Sequence, residues 1–453
     1  MRKLYIILLF CFCGSIFAQE NFLTKEEAIA IALENNFGIK VATNDLEIAA
    51  NNKSILNSGY LPTLSGSASA NYNDLDSNTK YPGQFDDDGV TPRADLEIDH
   101  AESRDYSAGL SLDYTLFDGL GRFYTYKQLK EQYQLTELQA RETIENTIVQ
   151  MFSVYFQVAQ LTENYNVLEQ ALEISRDRII REEYSFEYGQ NTKLDILNAQ
   201  VDFTNDSILL LNAKQDLVNA RRDLNVVLNQ DLNKVYQVDT IVMFTPSLEL
   251  DSHILKSNEN NVSLLQAEKN LKINEYDIKV SKSGYLPTVD LTGEYGWNLS
   301  QSASSSFLPG QVIPGSNRNT YDLDLTASLT WNLFDGGTTS VAVRNAKIAY
   351  DNQEIVKKQL ALEIERDIQN AKTIYDNLIK IYQIQEQNVL TNQNNFERSK
   401  EQFQLGRITS IEFRQAQINL LDAGTNKNLA KYDAKLAEVE LLQLTGQLLN
   451  VKL

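Results

Sequence analysis

Three landmarks occur twice, in the same order, along this chain, and any fold must accommodate both sets. Ser58-Gly59-Tyr60-Leu61-Pro62-Thr63 returns as Ser283-Gly284-Tyr285-Leu286-Pro287-Thr288, an offset of 225. Leu116-Phe117-Asp118-Gly119 returns as Leu333-Phe334-Asp335-Gly336, an offset of 217, and the tract from Tyr188-Gly189 to Ala199-Gln200 is echoed at 217 by Leu405-Gly406 to Ala416-Gln417. A repeat of this length is a duplicated domain half, not a solenoid unit. The expected division is a first repeat over 19–246 and a second over 247–453.

Helix breakers then divide each copy. All seven prolines fall near the two Leu-Pro segments or in the link between copies, and between Arg122 and Thr245 the sole glycine is Gly189. Gly and Pro cost a helix interior about 1 and 3 kcal/mol, so their absence permits very long helices. The expected long helices cover 120–188 and 338–405, each about 100 Å at 1.5 Å per residue. Shorter helices are expected at 24–57, 192–229, 250–282 and 409–447, the first opened by Thr24 as N-cap with Glu27 at the capping-box position. The two short helices of a copy nearly match its long helix in combined length, so they can stack beside it. Leu210, Ala213, Leu217, Ala220, Leu224 and Val227 step by three and four, and the shifted set is Lys427, Ala430, Ala434, Ala437, Leu441 and Leu444. Such a stripe suits a coiled coil or an ordinary bundle core.

Between those helices the period changes to two. Tyr321, Leu323, Leu325, Ala327, Leu329, Trp331 and Leu333 alternate with Asp322, Asp324, Thr326, Ser328, Thr330 and Asn332. Val289, Leu291, Tyr295, Trp297 and Leu299 form a second apolar row, and Ala108, Leu110, Leu112, Tyr114 and Leu116 a third. With a weaker segment rich in Ser and Ala, the strands are expected at about 64–73, 106–117, 288–299 and 320–334. Strands of this length with one apolar face suit an outer-membrane barrel, with Tyr114, Tyr295, Trp297 and Trp331 as interfacial aromatics. A soluble antiparallel sheet shows the same alternation. In lipid, four strands leave edges whose unpaired N–H and C=O groups cost several kcal/mol each, so chains there must pool strands. Two chains would give eight strands and a side-chain-filled interior; three would give twelve and room for a conduit. The expected class is mainly α with a small β portion.

The address agrees with export. Residues 1–18 have Arg2 and Lys3, an apolar run and a small-residue exit, the layout of a signal peptide. Both cysteines, Cys11 and Cys13, lie inside it; Phe10, Cys11 and Phe12 before Cys13 fit a lipobox poorly. A net charge of -20 leaves no basic face for nucleic acid.

Together the tandem copies, the Tyr60-Leu61-Pro62 and Tyr285-Leu286-Pro287 segments that open the strands, the Leu-Phe-Asp-Gly exits and the Gly-x-x-Thr turns resemble the TolC-like outer membrane efflux proteins. The resemblance covers essentially the whole mature chain. It implies a homotrimer with a twelve-stranded barrel in outer-membrane lipid and a helical tunnel through the periplasm, fed by an inner-membrane pump and a periplasmic adaptor. It places the turns at Gly189 to Thr192 and Gly406 to Thr409 at the periplasmic tip, beside the adaptor. Asp195 and Glu412, six residues past each Gly, would then form rings of acids at the entrance, attractive to cations and prone to raised pKa values. Read without the resemblance, each Gly ends a helix, each Thr caps the next, and each acid is a solvated surface group. Asn198 and Gln415 stand where some relatives carry a second acid, which tells against a tight double-acid gate.

Other chemistry is sparse. Asp86, Asp88, Gly89 and Asp95 fall at four positions of a calcium loop, but Gln84 occupies the first and the final Glu is missing. Glu97, Asp99, His100 and Glu102 follow closely, and a solvated loop with loose cation or lipopolysaccharide contact is the expectation. His100 and His253 are the sole histidines, and no HExxH, GxSxG or Walker pattern appears. No cofactor, metal centre or catalytic residue is expected. The sequence therefore reads as a passive outer-membrane exit duct of an efflux or type I secretion system; a secreted coiled-coil structural or adhesin protein is the alternative.

Overall fold

The computed structural model describes residues 21–308 and 311–451. The expected leader at 1–18, with Cys11 and Cys13, lies outside them. Copy one runs β1 (Asn21–Leu23), α1 (Lys25–Asn35), α2 (Phe37–Asn52), β2 (Thr63–Thr79), β3 (Leu96–Asp118), α3 (Gly121–Glu187), α4 (Lys193–Leu228) and β4 (Tyr236–Val238). Copy two runs α5 (Ser247–Leu255), α6 (Ser257–Asn260), α7 (Val262–Ser283), β5 (Thr288–Ser302), β6 (Ser305–Leu308), β7 (Gln311–Ile313), β8 (Ser316–Thr330), α8 (Thr338–Gln404) and α9 (Ser410–Leu444). The chain divides into two compact units: a helical one from the described part of 1–48 with 134–269 and 354–453, and a strand-bearing one from 49–133 and 270–353.

In the helical unit the core draws on both copies. Phe152, Tyr155 and Phe156 of α3 join Leu217, Ala220 and Leu224 of α4, Ile364, Ile368 and Tyr375 of α8, and Tyr432, Leu441 and Leu442 of α9. The small-residue stripe is its inner seam: Ala213, Leu217, Ala220, Leu224 and Val227 are buried, as are Ala430, Ala434, Ala437 and Leu441. Lys427, Leu210 and Leu444 are only half-buried. Short β1 pairs in parallel with β4. The Tyr155 hydroxyl ties that ribbon to α3, donating to the Leu23 carbonyl at 2.7 Å and accepting from the Asp239 N–H at 2.9 Å.

The expected single helices at 24–57 and 250–282 are interrupted instead, the second also at Lys256, and the first ends at Asn52; at one matching junction in each copy the cause is a residue that neither Gly nor Pro counting detects. Asn36 and Asn261, themselves 225 apart, both leave helical geometry, with φ/ψ of -60/132 and -63/123. Each side-chain oxygen accepts from the next helix, from Gly38 N at 2.8 Å and Leu264 N at 3.1 Å. Each amide donates across to the end of a later helix, to Val227 O at 3.0 Å and Leu444 O at 2.8 Å. One amide thus starts a helix and satisfies an orphan carbonyl of another. The expected helix at 409–447 stops at Leu444 because Gly446, at φ 69, turns the chain within reach of the Asn260 carbonyl, where a Cβ would lie 2.2 Å from that oxygen.

In the strand unit the main sheet is antiparallel, in the order β2, β3, β5, β8. Its register aligns Gly66, Leu110, Tyr295 and Leu323 on one face, and Ser65, Ser111, Glu294 and Asp324 on the other. Strands β6 and β7 add a short ribbon to β3. β2 and β3 run past the expected 64–73 and 106–117, and β5 past 288–299, because toward the ends far from the helices the apolar residues thin out to Leu75, Leu96, Ile98 and Ala101 and alternation gives little signal. The expected strand at 320–334 begins earlier, at Ser316, and stops at Thr330. Trp331, Leu333 and the Leu-Phe-Asp-Gly tract therefore belong to the turn into α8, not to the ladder. No helix among the described residues is long and apolar enough to cross a membrane.

Candidate functional site

The two turns that join long to short helices use one backbone device. Gly189 and Gly406 have φ of 72 and 70, a region where only Gly is free of strain, and no atom within 4 Å would obstruct a Cβ, so conformation alone selects them. Gln190 N donates to Ser185 O and Arg407 N to Gln402 O, both at 2.8 Å, while each Gly N–H donates to the carbonyl three residues back. This is a Schellman termination in both copies.

The next residues open the short helices. Asp195 turns back onto Thr192, accepting from its hydroxyl at 2.7 Å and its N–H at 2.9 Å. Glu412 does the same at Thr409, at 2.9 and 2.8 Å, and there the Thr hydroxyl also accepts from Glu412 N at 3.2 Å. The Thr192 hydroxyl, followed by its N–H, holds the Asp195 carboxyl below its ordinary range; the Thr409 N–H, followed by its hydroxyl, does so for Glu412. Within one chain the direction is thus opposite to the rise expected from a ring of acids, because both carboxylates already serve as hydrogen-bond acceptors.

Above these turns lies a polar cluster that motif reading missed. Arg414 of α9 holds Asp206 of α4 in a bidentate pair, both bonds at 2.7 Å, and Asp206 also accepts from the Ser175 hydroxyl of α3. Gln417 donates to Ser175 Oγ at 2.9 Å and to Ala171 O at 2.8 Å. Arg178 pairs with Asp202, and Glu182 accepts from the Asn191 amide in the turn. Arg181 donates to the carbonyls of Phe403 and Gln404, at 3.1 and 2.6 Å, closing the end of α8 with a cation where a helix terminus favours one. A sequence signal for this cluster existed: continued four residues upstream, the α4 stripe places Asp206, 2% exposed, at a core position.

The strand-opening motifs fasten the sheet to its helices. Gly59 O accepts from Arg122 at 2.8 Å, and the same guanidinium lies 5.4 Å from the Tyr60 ring. In copy two the Tyr285 hydroxyl bonds Ser340 at 3.1 Å, and Trp331 donates to Tyr285 O at 3.2 Å. Leu61 and Leu286 are exposed. Pro62 and Pro287, each one residue before a strand, need no N–H there.

The apolar sheet face is uncovered within the chain. Leu110, Tyr295, Leu323, Leu325 and Leu329 on it are more than half exposed. Tyr114 lies near the helix end of that face and Trp297 near the other, beside Tyr321 and Ala108 in register. Tyr114 and Tyr106 on β3 are eight residues apart, about 27 Å of strand, close to the height of an apolar membrane band. The calcium-loop spacing at 86–95 is not assembled. Asp88 accepts from Val90 N, Thr91 N and the Thr91 hydroxyl, the Thr91 hydroxyl chief among the causes that hold its pKa to about 2, and Asp95 accepts from Tyr81 N.

Comparisons with known proteins agree with this geometry. The family model described as outer membrane efflux protein matches residues 28–230 and 254–447, one match in each copy. The outer membrane protein TolC of Vibrio cholerae is 23% identical over 352 residues, covering 77% of this chain and 78% of that protein. The probable outer membrane lipoprotein SilC of Salmonella typhimurium is 21% identical over 409 residues, 88% of this chain and 84% of that one. The CmeC outer membrane channel of Campylobacter jejuni superposes with a TM-score of 0.71 at 20% identity, covering 94% of this chain and 86% of that one. This chain belongs to the outer membrane efflux protein family and is an outer-membrane exit duct of the TolC-like kind.

Proposed function

We propose that three copies of the chain close into one duct, with β8 of each subunit pairing to β2 of the next. The observation that carries this reading is the sheet order: β2 and β8 are the two edges of a four-stranded sheet whose apolar face has no cover. Unpaired edge groups are intolerable in hydrocarbon, and a ring of twelve strands leaves none. The polar face, with Asp113, Glu294 and Asp324, then lines the lumen. Tyr114, Tyr295, Trp297 and Trp331 face lipid and its interfaces.

The helices continue the passage through the periplasm, and the turns at Gly189–Thr192 and Gly406–Thr409 form its inner end. A periplasmic adaptor docks there and an inner-membrane pump drives transport, so the duct itself is passive. Asp195 and Glu412, repeated by the trimer axis, give the entrance a preference for cations while remaining bound to their threonines.

The test is planar-bilayer conductance of the purified protein, with chemical cross-linking of the same sample. Stable conductance and a trimer band are the expected result. A soluble monomer extracted without detergent overturns the duct. Unchanged ion selectivity in the Asp195→Ala, Glu412→Ala double variant removes the entrance acids and leaves the duct standing.

A further inference from the structure

At the end of the β2–β3 hairpin far from the helices, the ladder slips. Leu75 pairs with Ala101 and Ser77 with Ile98, so Asp76 alone faces both Asp99 and His100. The bulge holds His100 at φ 46 and its N–H donates to Asp76 Oδ1 at 2.8 Å. The imidazole Nδ1 consequently lies 3.2 Å from Asp74 Oδ2 and 3.7 Å from Asp76 Oδ1. One ligand atom from each of these three side chains lies within 4.8 Å of the others.

We propose that Asp74, Asp76 and His100 bind a divalent cation of the borderline class represented by zinc. The donor set is what selects that class. Two carboxylates and an imidazole on one side of an ion are a recurrent transition-metal arrangement, whereas calcium and magnesium take oxygen donors. His100 Nε2 lies 3.9 Å from Asp99 Oδ1, beyond hydrogen-bond reach, so in the absence of an ion the Nδ1 contact to Asp74 at 3.2 Å holds the ring's proton, and an ion bound at Nδ1 displaces it. The local charge also calls for a cation. Asp74, Asp76 and Asp99 surround one imidazole, and Arg104 on the same strand is paired with Glu102 at 3.4 Å. Three protein ligands leave positions open to water, so the site is a reversible surface site and not a structural core.

Zinc titration of the purified full-length protein in detergent, by calorimetry at pH 7.5, tests this. One zinc per chain is expected. His100→Gln, which keeps a polar side chain at the bulge, weakens binding at least tenfold, Asp76→Asn weakens it by a similar factor, and His253→Gln leaves it unchanged. Lowering the pH to 5.5 weakens binding to the unaltered protein, since a proton competes for the imidazole. Equal binding by His100→Gln, equal loss in His253→Gln, or absence of stoichiometric zinc overturns the proposal. So does a response to calcium that matches the response to zinc, because that is the behaviour of carboxylates alone. A thermal melt of each variant without metal identifies any that is misfolded; Asp74→Asn then takes its place.

Discussion

The α3–α4 and α8–α9 hairpins share a backbone plan and differ in what holds them shut. In copy one Asp206, Ser175, Arg178 and Asp202 make charged and hydrogen-bonded contacts, with Arg414 reaching in from α9. At the positions 217 residues later, copy two has Ala423, Asn392, Asn395 and Asn419. Its hairpin is closed by rings: Phe403 stacks on Phe413 with centroids 4.7 Å apart and planes 2° from parallel, and Phe396 lies 5.5 Å from Phe413. Duplication has thus kept the instructions that bend the chain and allowed the adhesive to diverge. The polar hairpin depends on its partner copy, because half of the Asp206 pair belongs to α9. The aromatic one draws its rings from its own copy and takes from the other Arg181 over Phe403 and the edge of Ile174.

The largest expected effect follows from that dependence. Asp206→Ala leaves the Arg414 guanidinium, 13% exposed at its side chain, without its bidentate partner, and removing one member of a buried pair costs about 3–5 kcal/mol. Hydrogen exchange of the 193–206 and 410–417 segments should accelerate about a hundredfold or more. Replacing both partners with apolar residues of similar size, Asp206→Leu with Arg414→Met, should restore most of the protection. Phe413→Ala should cost about 3 kcal/mol, but confined to copy two. If Asp206→Ala disturbs copy one alone, or Phe413→Ala loosens both hairpins equally, the contrast between the hairpins is wrong.

A smaller effect concerns the other end of the short helices. Asn261→Ala removes the bond to Leu444 O and the acceptor for Leu264 N, and should cost about 1–3 kcal/mol as buried groups lose their partners. Asn36→Ala should cost less, because Asn36 is half-buried where Asn261 is buried, while both junctions keep a second tie, from Asn229 to the Asn35 carbonyl at 3.2 Å and from Arg141 to the Asn260 carbonyl at 3.4 Å. Thermal unfolding of the two variants measures the difference. Equal losses would show that the deeper burial of Asn261 contributes nothing.

Much of this plan is written where a linear reading can find it. Gly189, Gly406, Thr192 and Thr409 act locally, so spacing alone reveals what they do, and the strand rows are visible because one face is apolar throughout. Asn36 and Asn261 escaped because an Asn in a helical stretch is a mild penalty. Its partners, Val227 and Leu444, lie nearly 200 residues away, although the repeated Glu34-Asn35-Asn36 and Glu259-Asn260-Asn261 were available as a signal. Asp74 and Asp76 carry no local signal for a related reason. Their meaning arises from a one-residue slip in the hairpin register, and no local pattern states where a ladder slips.

The smallest expected difference separates the two capping threonines, and acidity is the way to expose it. Both acids are held below their ordinary values, 3.8 for Asp195 and 4.5 for Glu412, by bonds from Thr192 and Thr409. A lowered carboxyl contributes stability that is complete above its unfolded value and disappears as pH falls through its folded value. Protection of the turn amides, corrected for intrinsic exchange, should therefore begin to decline below about 4.5 at Glu412 and only below about 3.8 at Asp195. Thr409→Ala removes a reciprocal cap, since the Thr hydroxyl both donates to Glu412 and accepts from its N–H, and should cost about 1 kcal/mol of local stability. Thr192→Ala should cost less, because Asp195 N already donates to the Thr192 carbonyl at 3.1 Å instead of to the hydroxyl. If the Asp195 turn loosens first on acidification, or if both threonine variants lose the same protection, the copies are equivalent here and the divergence stops at the side chains between the helices.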